Sequence, residues 1–170
     1  MKKIFAIIVI TLMVSVCAYA AQDTAELGTQ IAVAGNFDLD IGTPFLDFGN
    51  VQPGSISTSR VCSMESVSNT GNDWSIQISN TPMSDGTNVI PNESCKVFLM
   101  VDEEATGTSN YDYDNPIKEN LPGATPDIFY DSGSAETGQL FQSLMLYVTV
   151  PGEQPAGSYS NAITLTMIED

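Results

Sequence analysis

Apolar residues recur at every second position along most of the chain, and almost nowhere at the three-and-four spacing of an amphipathic helix. From residue 31 the odd positions read Ile31, Val33, Gly35, Phe37, Leu39 and Ile41. Trp74, Ile76 and Ile78 alternate with Ser75, Gln77 and Ser79. Cys95, Val97, Leu99 and Val101 alternate with Lys96, Phe98 and Met100, and Leu144, Leu146, Val148 and Val150 with Met145, Tyr147 and Thr149. Tyr159, Ile163, Leu165 and Met167 share a face opposite Thr164 and Thr166. A period of two is that of a strand with one face buried. Further strands are expected near 45–51 and 56–67. Turn residues separate the runs: Pro53-Gly54, then Asn69-Thr70-Gly71-Asn72, then Pro151-Gly152 through Pro155-Ala156-Gly157. Seven to nine short strands of this kind predict an all-β, antiparallel sandwich with Greek-key connections, a closed barrel being the other arrangement.

Residues 102–139 break the rhythm. They open with Asp102-Glu103-Glu104, continue through Tyr111-Asp112-Tyr113-Asp114-Asn115, and are rich in Gly, Pro and Ser. The stretch reads as a long acidic insertion with one short strand at Ile128-Phe129-Tyr130. Long loops on a rigid scaffold often carry recognition. Asp112, Asp114 and Asn115 offer hard oxygen ligands suited to calcium, without the remaining ligands or spacing of an EF-hand loop. A solvated acidic loop is the plain alternative.

The N-terminus changes the inventory. Lys2 and Lys3 precede an uncharged apolar stretch over 4–16, and Ala18-Tyr19-Ala20 supplies small residues at a cleavage site. This is the pattern of a secretory signal peptide over 1–20. The apolar run falls short of the roughly 20 residues a membrane span requires. Residues 21–170 are then expected to form one domain, exported to the periplasm, cell surface or medium, with no membrane span once the signal is cleaved. Only Arg60, Lys96 and Lys118 remain against 21 acidic residues. Such a charge keeps a protein soluble and repels nucleic acid and anionic lipid. Cys62 and Cys95 are the two cysteines left, and an even pair in an exported chain reads as a disulfide. That bridge would be worth roughly 3–4 kcal/mol in the chain-entropy model. Two free thiols or an intermolecular bridge are the alternatives.

The sequence contains no histidine. Ser/His/Asp and Cys/His nucleophilic sites and His-ligated zinc are thereby excluded. No Gly-rich phosphate loop occurs. A pair of carboxylates could hydrolyse a glycoside, but 21 acids supply such pairs by chance. No catalytic residue is assigned and no cofactor beyond the calcium candidate is expected. Trp74, beside Asn72 and Asp73, sits in an alternating strand and is expected in the core rather than in a sugar platform.

Two stretches carry a resemblance. Phe45-Leu46-Asp47-Phe48-Gly49-Asn50-Val51-Gln52-Pro53-Gly54 resembles the L-x-F-G-x-x-x-P-G strand and turn of exported bacterial Ig-like domains, among them spore coat U and chaperone–usher pilin-type subunits. Pro155-Ala156-Gly157-Ser158-Tyr159-Ser160-Asn161-Ala162-Ile163-Thr164-Leu165-Thr166 resembles their closing P-x-G-x-Y-x-x-x-I-x-L-T strand. Spore coat U-type domains usually carry a Cys before the Phe-Gly strand, and residues 37–43 have none. The resemblance implies an Ig-like sandwich and a non-enzymatic structural or assembly protein of the cell surface, such as a pilus-like or coat subunit. Its partners would be other surface or assembly subunits, including further copies of itself. It also implies a second fate for the alternating run Ile31, Val33, Gly35, Phe37, Leu39, Ile41: pairing with a neighbour's open edge rather than folding into its own sandwich. The competing reading is a freestanding secreted module that binds a glycan, protein or calcium through the 102–139 loops.

Overall fold

A computed structural model describes residues 30–101, 105–133 and 137–169. The chain divides into two compact units, Met1–Val33 and Ala34–Asp170. Among its described residues the second holds nine strands: β1 (Phe37–Ile41), β2 (Arg60–Ser68), β3 (Trp74–Asn80), β4 (Met83–Ser84), β5 (Val89–Ile90), β6 (Cys95–Val101), β7 (Asp127–Asp131), β8 (Gly138–Val148) and β9 (Ile163–Glu169). The only helical element among the described residues is a 3-10 turn over Asn92–Ser94.

The strands form a four-stranded sheet in the order β1-β2-β8-β6 and a three-stranded sheet in the order β7-β3-β9, with β4-β5 as a small hairpin. Every pairing between strands is antiparallel. Neighbours in sequence repeatedly change sheet: β2 is followed by β3 across the sandwich, and β6, β7, β8 and β9 alternate sides. The fold is thus the all-β antiparallel sandwich that the alternation predicts.

Alternation also explains which residues make the core. Met64 on β2, Leu140, Leu144, Leu146 and Val148 on β8, and Cys95, Val97 and Leu99 on β6 are buried from one sheet. Trp74, Ile76 and Ile78 on β3, with Phe129 and Tyr130 on β7, are buried from the other. Trp74 belongs to this core, with its ring centroid 5.4 Å from that of Tyr130. Pro53 and Gly54 occupy the centre of a tight turn closed by Ser55 N–H donating to Gln52 O at 3.0 Å. Gly54 takes a φ of +78°, as the third position of a type II turn requires.

Two expected strands differ from the structure. Residues 45–51 form none, because Asp47 accepts the Gly49 N–H at 2.8 Å and Gly49 turns the chain with a φ of +68°. Leu46 and Phe48 nevertheless pack on the core. The expected strand at 56–67 begins later, at Arg60, and Ile56 makes only an isolated bridge to Thr149.

Candidate functional site

A sandwich has two open sides, each lined by the edge strands of both sheets. In this protein the two sides are treated differently. On one, the edges are β6 and β7, and residues 105–121 run against both. Leu99 N–H donates to Tyr111 O at 2.8 Å, Tyr113 N–H to Leu99 O at 2.9 Å, Val97 N–H to Glu119 O at 2.8 Å and Leu121 N–H to Cys95 O at 2.9 Å. Thr108 and Asp131 exchange both backbone bonds, at 2.7 and 2.9 Å, along β7. Tyr111 and Leu121 add their side chains to the core. The acidic insertion is therefore built into the sandwich over this stretch and covers that side.

On the other side the edges are β1 and β9, which lie beside each other. Among the described residues no backbone hydrogen bond reaches the outer edge of either strand. The inward residues of β9, Ile163, Leu165 and Met167, are only half-buried. Their partners on β3, Ile78 opposite Leu165 and Ile76 opposite Met167, are fully buried. Leu39, Leu46 and Phe48 line the same apolar cluster half-buried. This open side is the candidate functional site.

The structure divides the alternating run at 31–41. Phe37, Leu39 and Ile41 enter β1 and pair with Ser68, Ser66 and Met64 of β2. Asn69 extends that pairing: its N–H donates to Asn36 O at 3.0 Å, its amide to Ala34 O at 3.1 Å, and its side-chain oxygen accepts from Asn36 N–H. This part of the expected assembly strand is thus corrected to a strand of its own sheet, through Gly35. Ile31 and Val33 form no strand and are 87% and 79% exposed.

Behind β1 lies an irregularity in the core. The inward row of β8 reads Leu140, Gln142, Leu144, Leu146, and that of β2 reads Cys62, Met64, Ser66, Ser68. Ser66 is fully buried and Gln142 is 3% exposed. Among the described residues, neither the Ser66 hydroxyl oxygen nor either amide atom of Gln142 has a hydrogen-bond partner. Buried polar atoms of this kind are uncommon in native cores.

The insertion brings together two of the three basic residues outside the N-terminal segment. Lys118 pairs with Asp127 at 2.5 Å, the Tyr111 hydroxyl donates to the same carboxylate at 2.8 Å, and Lys96 lies 3.7 Å from Glu119. Burial works to raise the Asp127 pKa, but the bonds from Lys118 and Tyr111 outweigh it and the net shift is downward. Burial, reinforced by the hydrogen bond and charge of Asp127, pushes the Tyr111 hydroxyl well above its ordinary value. These groups border a wide recess of about 510 Å³ with Ile117, Asn120 and Pro122. Each charge already has a partner within the chain, so the cluster fastens the insertion.

The calcium candidate is not assembled. The Asp112 carboxylate accepts the Asp114 N–H at 3.0 Å in a local turn. Among the described residues no three acidic, Cys or His side chains converge to hold a metal ion.

The expected disulfide is also corrected. Cys62 and Cys95 are free and buried. They stand on β2 and β6, which flank β8 on opposite sides. Cys62 faces Leu144, while Cys95 faces Val148, four residues further along. Two strand spacings and four residues separate them by on the order of 15 Å, against the 7 Å or less a disulfide tolerates. The Cys62 thiol instead donates to Thr43 O at 3.2 Å. Burial, then the charge of Glu93, pushes the Cys95 thiol up to about 11.

No protein-family model matches the chain, and none of the curated proteins does. Among solved structures, a family 123 glycoside hydrolase from Clostridium perfringens, studied for glycolipid glycan hydrolysis, is similar at 13% identity and a TM-score of 0.40. The alignment covers 78% of this chain and 24% of the hydrolase chain, so this protein spans about a quarter of that enzyme's length. A likeness at that level bears on neither activity nor substrate.

Proposed function

We propose that the protein is a non-enzymatic, exported structural subunit that assembles by lending an N-terminal strand to the open side of a neighbour. One observation carries this reading: among the described residues the β1/β9 side has two edges unpaired and an apolar row half-buried, while the insertion runs along the opposite side. The apolar alternation of Ile31 and Val33, both exposed, supports it from the donating side. A strand laid along β9 would gain main-chain hydrogen bonds from the edge, and its alternate side chains would cover Ile163, Leu165 and Met167. Such a contact is head-to-tail and grows into a fibre rather than closing as a dimer.

Mature protein and a variant lacking residues 21–33 are compared on denaturing gels with and without boiling. The deletion leaves Ala34 and Asn36 in place, with their bonds to Asn69. The reading expects a ladder from the full-length protein, lost on boiling and lost in the deletion. A full-length protein that runs as a monomer in unboiled samples, and is monomeric in solution, would sink it.

A further inference from the structure

The outward face of the four-stranded sheet departs from the usual pattern of a solvated sheet face, which is polar. Val61 on β2, Met145 on β8 and Phe98 on β6 are cross-strand partners in one row. All three alternate with the inward residues Cys62, Leu144 and Leu99, so they stand on the side away from the core. The insertion prolongs the row. Tyr113 N–H donates to Leu99 O, and its ring meets Phe98 edge-on at 6.0 Å and 86°. Tyr147, on the same face of β8, stacks on Phe98 at 6.1 Å and 22°. With strands about 4.8 Å apart, the row from Val61 to Tyr113 is roughly 15 Å long. Phe98 is buried between the tyrosines, whereas Val61 and Tyr113 are 51% and 50% exposed. A contiguous apolar band on a solvated face marks an interaction surface.

The charges beside this band have one sign. Asp38 pairs with Val67 and Asp40 with Glu65, which places all three carboxylates on the outward side of β1 and β2. Asp112 and Asp114 flank Tyr113 at the other end of the row. Neither of the two ion pairs among the described residues involves these five acids. Lys118 is taken by Asp127, and Lys96, opposite Tyr147, lies against Glu119 and Asn120. Arg60 alternates with Val61 and donates to Asp47 O. A second copy of so acidic a chain would set like charges against each other here. An anionic lipid surface is repelled for the same reason. A partner that buries the band must bring basic residues beside its apolar ones.

We infer that the outward face of β2, β8 and β6 is a docking surface for a cationic amphipathic helix of a partner protein, separate from the open β1/β9 side. An uncovered sheet face is where a helix packs. A helix is about 10–12 Å across with its side chains, so its apolar stripe fits on the row. Lysines or arginines bordering that stripe reach Asp40 and Glu65 on one flank and Asp112 and Asp114 on the other. The exposed ring of Tyr113 adds a cation–π contact.

The test uses the mature protein and a fluorescent amphipathic peptide of leucine and lysine at helical spacing, with binding read by anisotropy. Val61→Ser/Tyr113→Ser should weaken binding about tenfold or more. Asp40→Asn/Glu65→Gln should weaken it about threefold and flatten its dependence on salt. Both variants should unfold near the wild-type urea midpoint, since the side chains changed lie outside the core. Ile128→Ser, on β7 of the other sheet and 43% exposed, should bind like the wild type. No loss in Val61→Ser/Tyr113→Ser, or an equal loss in Ile128→Ser, would mean that net charge alone holds the peptide, and overturns the inference. So does a wild-type protein that leaves the peptide free. A wild-type dimer that Val61→Ser/Tyr113→Ser dissolves in sedimentation would give the face to a second copy and overturn it as well.

Discussion

The difference between the two sides of the sandwich can be weighed with two substitutions that face each other. Ile78 on β3 and Leu165 on β9 are cross-strand partners of nearly equal size. Ile78 is fully buried, whereas Leu165 is half-buried on the open side. Truncating Ile78 to alanine removes its transfer free energy and leaves a sealed cavity, a combined loss of about 3–4 kcal/mol. Truncating Leu165 forfeits only part of a leucine's burial, and the space left opens to water instead of becoming a void. A loss of about 1–2 kcal/mol is expected there. The measurement is urea unfolding of the variant lacking residues 21–33, which has no strand to lend. At a slope of about 2 kcal/mol per molar, the two midpoints should differ by about 1 M. In the full-length ladder the Leu165→Ala loss should grow toward that of Ile78→Ala, because a neighbour's strand would seal the site. Equal losses in the deletion variant would mean that β9 is already closed, and the open-side reasoning would fail.

Native protein should leave both thiols unmodified by a maleimide at pH 7, and unfolding should release two; rapid native labelling of Cys95 would contradict its burial and its pKa of about 11. Asp85 accepts backbone N–H bonds from Asn88 and Thr87 in the β4-β5 turn, which holds its pKa down to about 2. Its contribution is therefore present above the unfolded value of 3.8 and is lost as pH falls toward 2. A carboxyl titration by NMR that places its midpoint near 3.8 would refute this. Gly107 has no room for a side chain, since a Cβ would sit 2.4 Å from both Asp131 O and the Tyr130 hydroxyl. Gly107→Ala should cost about 1–3 kcal/mol in thermal or urea unfolding, and hydrogen exchange should show the Thr108 and Asp131 amides losing protection first.

Much of the sandwich could be read from the chain because each inward row meets one core, and a period of two writes that directly into the sequence. The rows at Trp74, Cys95, Leu144 and Ile163 all became strands. The strand at Leu144 extends further back than its run of alternating residues indicates, because Gln142 interrupts the inward row with a polar side chain, and only the β2-β8 register brings Ser66 near it. The insertion was harder. Its attachment to β6 runs largely through backbone groups such as Val97 N–H and Glu119 O, which every sequence possesses. The cysteines misled for a related reason. An even count says that a bridge is chemically available, while their separation follows from strand order, and no local pattern encodes that β8 lies between β2 and β6. The β4-β5 hairpin, with two residues in each strand, is too short to show any period.

The closure of the β6/β7 side limits what edge-to-edge sticking can produce. A sandwich with both sides bare can add molecules left and right without end, which is the geometry of mats and amyloid ribbons. Here Tyr111, Tyr113, Glu119 and Leu121 occupy the β6 edge through their main chain, so direct sheet extension is left to the β1/β9 side, where each sheet offers one edge. Two copies meeting squarely through their bare sides would occupy both edges of each and stop as a pair. A longer polymer with the β6 edge already occupied is then built most directly by a segment outside the sandwich acting as the linker.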